Sequence, residues 1–264
     1  MTKAPFKKDT KEVDQEKNRS PRKKSSFMGT IRTVLYAILA AVILRTVALE
    51  PFNIPSGSMI PSLMVGDYLF VSKYSYGYSK FSLPWSVPLF SGRILGGLPE
   101  RGDVAVFKLP RDNETDYIKR IIGLPGDRIQ VKNGLLHING KPIKRRKIEN
   151  FTYLDRYGHK RTLEQYEEVL ESGVSYRVLD ATPFGSLDDT QVYIVPENHY
   201  FAMGDNRDNS MDSRVLSAVG YIPEENLVGR AEFIFYSTKG GADVWEIWKW
   251  GDATRFDRLF KSVD

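Results

Sequence analysis

The sequence predicts a mainly β protein: an antiparallel β-sheet domain with a second β-rich domain inserted into it, preceded by one apolar N-terminal helix. Three observations predict this. Short β-rich runs separated by turn residues recur after Pro51, with no alternation of strands and helices. Two Asn-Gly pairs, Asn133-Gly134 and Asn139-Gly140, fall six residues apart, each a strong two-residue hairpin signal. The most apolar stretch lies ahead of all of them. With 264 residues, 41% of them hydrophobic, the chain has material for one large or two modest domains.

Residues 1–26 are polar, carry Pro5 and Pro21, and hold nine Lys/Arg against four Asp/Glu, which is the whole of the +5 net charge. They read as a disordered basic arm. The other 238 residues hold 29 charges of each sign, so net charge gives no support for a nucleic-acid face. Residues 27–50 follow as a transmembrane anchor. Thr33–Leu44 is uncharged, and Arg32 and Arg45 lie near the ends, where an arginine stem can reach the interface. A buried first helix and a cleaved signal peptide compete with this reading. The run is apolar on every face, against the first. Arg45 stands where a neutral cleavage region belongs, against the second. The basic arm then predicts a cytoplasmic N-terminus, with the rest translocated.

Beyond the anchor, Asp67–Ser72, Asp103–Lys108, 116–122, Gln191–Val195, His199–Met203 and Ala231–Ser237 read as strands. Residues 51–128 and 196–264 form the main β domain, and 129–195 an excursion from its sheet. The excursion holds both Asn-Gly hairpins and one possible short helix, Leu163–Ser172, behind a Thr162/Gln165 capping box. Residues 75–100, with four Gly and three Pro, read as a long surface loop. Trp245, Trp248 and Trp250 among cations suit a membrane interface or ordinary packing of the C-terminus.

The chemistry is narrowed first by what is missing. Without cysteine there is no disulfide, thiolate metal site or thiol nucleophile. His137, His159 and His199 show no metal-ligand spacing. Gly123–Asp127 is not followed by G-K-[ST], and Asp208-x-Ser210-x-Asp212 lacks the glycine and glutamate of a calcium loop. No metal or cofactor is expected.

Three segments remain. Pro55–Leu63, PSGSMIPSL, follows the anchor; Gly57 permits a turn that exposes Ser58. In Asp116–Asp127, DYIKRIIGLPGD, a strand places Tyr117, Lys119 and Ile121 on one face, which desolvates the lysine. A lysine base near pH 7 needs its pKa lowered by about three units from about 10.4, at a cost of about 4 kcal/mol. Gly204–Arg214, GDNRDNSMDSR, is dense enough in short polar side chains to cross-link itself. Together they give Ser58 as nucleophile and a neutral Lys119 as general base. Ser210 would orient the lysine, and the Ser58 N–H with the Ser56 hydroxyl would bind the oxyanion.

These three blocks, in this order behind an N-terminal anchor, resemble the bacterial type I signal peptidases, membrane-anchored serine proteases with a Ser/Lys dyad and a mostly β fold. The resemblance implies removal of signal peptides from exported preproteins at the outer face of the cytoplasmic membrane, by way of an acyl-enzyme. Its partners would be those signal peptides and membrane lipid. It also implies an Asp212–Arg214 supporting ion pair, and Phe52, Ile54, Met59, Tyr117 and Ile118 lining shallow pockets for small side chains. Ser62 departs from the family's more frequent threonine. A tethered, non-catalytic β domain and a self-cleaving repressor-type Ser/Lys protease are the alternatives. The anchor argues against the repressor, and activity of Ser58 and Lys119 variants separates the other two.

Overall fold

The computed structural model describes residues 27–47, 49–83, 86, 90–155, 158–182, 184–239, 246, 248 and 250–263, with the side chains of the first helix described over 29–40. The expected basic arm and Trp245 lie outside them, as does the Trp250 side chain. The chain divides into two units, Met1–Ala41 and Val42–Asp264, and the site lies within the second. Helix α1 runs Phe27–Val47. Among the described residues no helix is long and apolar enough to cross a membrane.

The strands in chain order are β1 Leu49–Asn53, β2 Asp67–Ser72, β3 Val104–Lys108, β4 Asp116–Gly123, β5 Arg128–Lys132, β6 Leu135–Ile138, β7 Lys141–Pro142, β8 Lys144–Lys147, β9 Phe151–Leu154, β10 Lys160–Val169, β11 Ser175–Asp180, β12 Tyr193–Ile194, β13 His199–Met203, β14 Ile222–Pro223 and β15 Leu227–Ser237. Seven of them form one sheet in the order β1-β2-β15-β3-β4-β13-β14. Its neighbours are antiparallel throughout. The chain leaves this sheet after β4 and returns at β13. In between, β11-β10-β8 with β9 on β10 make a second sheet, and β12-β5-β6-β7 a third.

Local chemistry explains the hairpins. Asn133 and Gly134 join β5 to β6 at φ +47° and +72°, and Asn139 and Gly140 join β6 to β7 at +52° and +81°. Two successive left-handed residues give the twist that two-residue hairpins need, and Asn and Gly tolerate it best. One apolar cluster, containing Ile54, Met59, Leu63, Leu69, Val71, Val106 and Ile234, lies under β1, β2, β3 and β15. A second joins β5, β6, β11 and β12 to β4 and β13 through Ile122, Phe201 and Met203.

The expected helix at Leu163–Ser172 is instead the second half of β10 and the turn after it. The sequence there is Glu-rich and locally compatible with a helix. Tertiary partners decide otherwise, because β8 supplies Lys147 and Arg146, which form ion pairs with Glu164 and Glu167. The strand expected at Gln191–Val195 shortens to Tyr193–Ile194. Residues 75–100 are not a free loop. Tyr78 bridges Ile94, and Tyr76, Ser79 and Phe81 are buried. At the C-terminus, the Asp67 carboxylate accepts from Arg258, which ties the last segment to the start of β2. Trp248, Phe256 and Phe260 remain largely exposed.

Candidate active site

Ser58 lies in the connection between β1 and β2. The ends of that connection are pinned by Ile54 N–H donating to Asp67 O at 2.8 Å and Gly66 N–H to Ile54 O at 3.0 Å. Met59 and Leu63 have no exposed surface and anchor the loop in the core, while Ser58 is 8% exposed at its lip. Gly57 keeps an ordinary φ, and the space beside it is narrow. A Cβ there would meet Ile60 Cδ1 at 3.0 Å and Asn209 Nδ2 at 3.6 Å.

Lys119 sits mid-strand in β4, whose register against β3 pairs it with Ala105. Nζ donates to Ser58 Oγ at 2.9 Å and to Ile118 O at 2.8 Å, and lies 5.1 Å from the Tyr117 ring centre. Only 4% of the residue is exposed. Burial pulls its pKa from 10.5 down to about 8, against the opposing pull of the Asp212 and Asp205 charges. Ser56 Oγ stands 3.4 Å from Ser58 Oγ, on the rim of the same group.

The polar loop 204–214 closes the site from the other side. Asn206 N–H donates to Ser58 O at 3.0 Å, and Asn206 Nδ2 to Gly57 O at 2.9 Å. Asp212 and Arg214 form a buried bidentate pair, with bonds of 2.9 and 2.8 Å. Burial alone would raise the Asp212 carboxyl, but the Arg214 charge and hydrogen bond hold it below the usual range. Asp212 also accepts from Gly204 N–H at 3.0 Å. A Cβ on Gly204 would lie 2.1 Å from Ser210 Oγ and 2.6 Å from Ser58 O, so only glycine fits there.

The expected residues divide. Ser58, Lys119 and Ser56 come together, and Asp212 and Arg214 pair. Ser210 is buried, but its Oγ closes no hydrogen bond, so it does not bond the lysine here. Ile54 and Met59 belong to the core, with Phe52 and Ile118 packed half-buried against them, and Tyr117 is half-buried beside the lysine.

Sequence reading missed Arg120, which donates to Asp205 through Nε at 2.9 Å and Nη2 at 2.8 Å, both groups being wholly buried. Ser62 Oγ donates to the same carboxylate. It also missed Asn206, whose only signal was membership of a dense polar loop. A carboxylate cluster, Asp180, Asp188 and Asp208, brings ligand atoms within 4.8 Å of one another. It could hold a cation, but its charge already meets donors of the protein. Arg145 binds Asp180, Ala181 and Thr182 N–H bind Asp208, and Gly185 N–H binds Asp188.

A serine hydroxyl held against a buried amine, with adjacent donors and a short antiparallel strand beside it, fits the serine endopeptidases as a class. A sequence profile described as "Signal peptidase, peptidase S26" matches residues 27–236, and the chain belongs to that family. It is 39% identical over 249 residues to the signal peptidase I of Rickettsia canadensis (strain McKiel), covering 88% of this chain and 92% of the relative. It is 40% identical over 247 residues to that of Rickettsia typhi (strain ATCC VR-144 / Wilmington), covering 86% and 90%. A crystal structure of a signal peptidase I from Enterococcus faecalis V583 aligns at 28% identity over 51% of this chain and 97% of that one, with a TM-score of 0.30. That superposition adds nothing to the fold described above.

Proposed function

We propose that this serine endopeptidase removes N-terminal signal peptides from exported preproteins, with Ser58 as nucleophile and neutral Lys119 as general base. The observation that carries the reading is the 2.9 Å contact between Lys119 Nζ and Ser58 Oγ at an amine whose pKa lies at about 8. The neutral amine takes the Ser58 proton as Oγ attacks the scissile carbonyl. The Ser58 N–H and the Ser56 hydroxyl receive the oxyanion. The intermediate collapses to an acyl-enzyme, the ammonium returns its proton to the leaving amine, and Lys119 then activates the water that releases the product. Asp212 and Arg214 fix the loop behind the pair, and Ser210, next to Asp212, orients Lys119 once it shifts toward that hydroxyl. Phe52, Ile54, Met59, Tyr117 and Ile118 line the pockets for small side chains.

In this reading, 51–128 with 196–264 is the catalytic domain and 129–195 its insertion. Residues 27–50 anchor the enzyme in a bacterial cytoplasmic membrane, single-pass, with the N-terminus inside and the site on the outer face. The uncharged run 33–44 behind a basic arm supports the anchor, although no described helix is long and apolar enough to cross a membrane. Tethering enzyme and anchored substrate to one surface raises their effective concentration. Exposed Trp248, Phe256 and Phe260 suit contact with lipid.

The test is incubation of detergent-solubilised protein with a labelled preprotein, beside Ser58→Ala and Lys119→Ala. Both variants lose cleavage if the reading is right; cleavage retained by both returns the chain's Ser58 and Lys119 to structural roles. Vesicle binding by a form lacking 1–50, unchanged when Trp245, Trp248 and Trp250 are replaced, sinks the lipid contact.

A further inference from the structure

The inserted strands hold the catalytic loop at Asp205, Arg207, Asp208 and Arg214. Arg207 is buried with Glu168 of β10, itself fully buried, and both of its bonded nitrogens go to that carboxylate, Nη1 to Oε1 at 3.0 Å and Nη2 to Oε2. Arg207 Nε has no partner. Leu179 N–H donates to Asp205 O at 2.8 Å, and Leu179 pairs in parallel with Asn206. The Tyr176 ring of β11 lies 4.4 Å from the Arg120 guanidinium, which holds Asp205. Tyr193 OH donates to Arg214 O at 2.7 Å. Ala181 and Thr182 N–H donate to Asp208 at 2.8 and 3.0 Å.

We propose that Glu168 is a positioning residue for bond cleavage, holding Ser58 in register with Lys119 through Arg207 and the loop around it. The route is continuous. Arg207 O accepts from Arg214 Nη2 at 2.6 Å, Arg214 holds Asp212, and Asp212 accepts from Gly204 N–H. On the other side of Arg207, Asn206 clamps the carbonyls of Gly57 and Ser58. A buried guanidinium without its carboxylate must move toward water or another anion, and Asn206 moves with it. A shift of about 1 Å at a reacting pair lowers rate by about a hundredfold while leaving remote substrate contacts intact. Glu168 thereby acts on the reacting pair from the inserted segment, although it supplies no reacting atom.

This rests on Ser58 and Lys119 being the reacting pair. The experiment compares full-length Glu168→Gln, Glu168→Asp and Val131→Ala in detergent, with Ser58→Ala in parallel, measuring kcat and KM on a labelled preprotein and Tm by circular dichroism. Val131 is buried in the inserted segment and its backbone bonds Thr190, not the 204–214 loop, so it reports what loss of packing in that segment does. Glu168→Gln should lower kcat about ten- to a hundredfold with KM within about twofold. Glu168→Asp, which keeps the charge but is one methylene shorter, should fall between it and the wild type, and carries the test if the glutamine variant does not fold. Val131→Ala should lower Tm and leave kcat unchanged. A folded Glu168 variant with wild-type kcat overturns the proposal, as does an equal kcat loss in Val131→Ala. Cleavage retained by Ser58→Ala marks failure of the dyad reading instead.

Discussion

Lys119 and Arg120 are adjacent on β4, point to opposite faces of the sheet, and are buried to nearly the same degree. Their surroundings give them opposite fates. On the Arg120 side burial works to lower the pKa, but the Asp205 charge and its two hydrogen bonds outweigh it and raise the guanidinium further. On the Lys119 side no carboxylate makes contact. Asp212 and Asp205 act only from a distance, and burial wins. One strand therefore carries a permanent cation that fixes the polar loop and an amine able to lose its proton. The difference teaches that desolvation makes a base only where pairing is withheld.

The largest effect expected from breaking this contrast is on turnover. Lys119→Met removes the base, and Lys119→Arg replaces it with a group that stays protonated at any working pH. Both should lower kcat by about 10⁴, read in single-turnover cleavage. Activity in Lys119→Arg would mean that the position needs only a cation. On the opposite face Asp205→Asn leaves Arg120 buried and charged without its carboxylate. It should cost about 3–5 kcal/mol of stability, a drop in Tm on the order of 10 °C by calorimetry. A loss below about 1 kcal/mol would show that Ser62 and Gly102 O, which also meet Arg120, suffice without the charge.

How much of this was legible in the sequence follows from the range of each interaction. The hairpins at Asn133-Gly134 and Asn139-Gly140 were readable because two residues decide them. Ser58 and Lys119 were reached only by taking three segments together, since each alone reads as an ordinary turn or a lysine that reaches water; the fold sets them 2.9 Å apart. The Arg120–Asp205 pair spans 85 residues, and nothing beside Arg120 distinguishes it from an arginine that reaches solvent. β10 read as a helix for the same reason. Its glutamates look locally helical, and their true partners, Lys147, Arg146 and Arg207, lie on other elements. Ser210 was read from its place in the loop, and the fold buries that hydroxyl without a hydrogen bond to Lys119.

A smaller effect sets activity against stability at one residue. The folded state holds the Lys119 ammonium at a pKa of about 8 against 10.5 for a free side chain. Below pH 8 both states are protonated, and the fold carries the whole penalty, about 3 kcal/mol at 1.36 kcal/mol per unit. Between about pH 8 and 10.5 the folded amine is neutral while the unfolded one still binds a proton, so wild-type stability rises through this window. Lys119→Met should therefore be inactive yet more stable than wild type by up to about 3 kcal/mol at pH 7, the advantage fading above pH 8. Urea unfolding at pH 7 and pH 10 measures it. A variant less stable at both values would mean that the bonds to Ser58 and Ile118 outweigh desolvation.

The mildest perturbation is pH itself. With only the neutral amine competent and a pKa of about 8, roughly a tenth of the enzyme is active at pH 7, half at pH 8 and nine-tenths at pH 9. The free-enzyme profile of kcat/KM should climb about fivefold from pH 7 to 8 and less than twofold from 8 to 9. Arg120 does not titrate in this range, so the limb belongs to a single group. Its position can be moved by design. The Asp212 charge favours the ammonium, so Asp212→Asn should carry the midpoint to lower pH even as the loosened loop lowers the plateau. A midpoint unmoved by that substitution would place the titrating group elsewhere than Lys119. A midpoint shifted upward would mean that the loosened loop lets water reach the amine and relieves its desolvation.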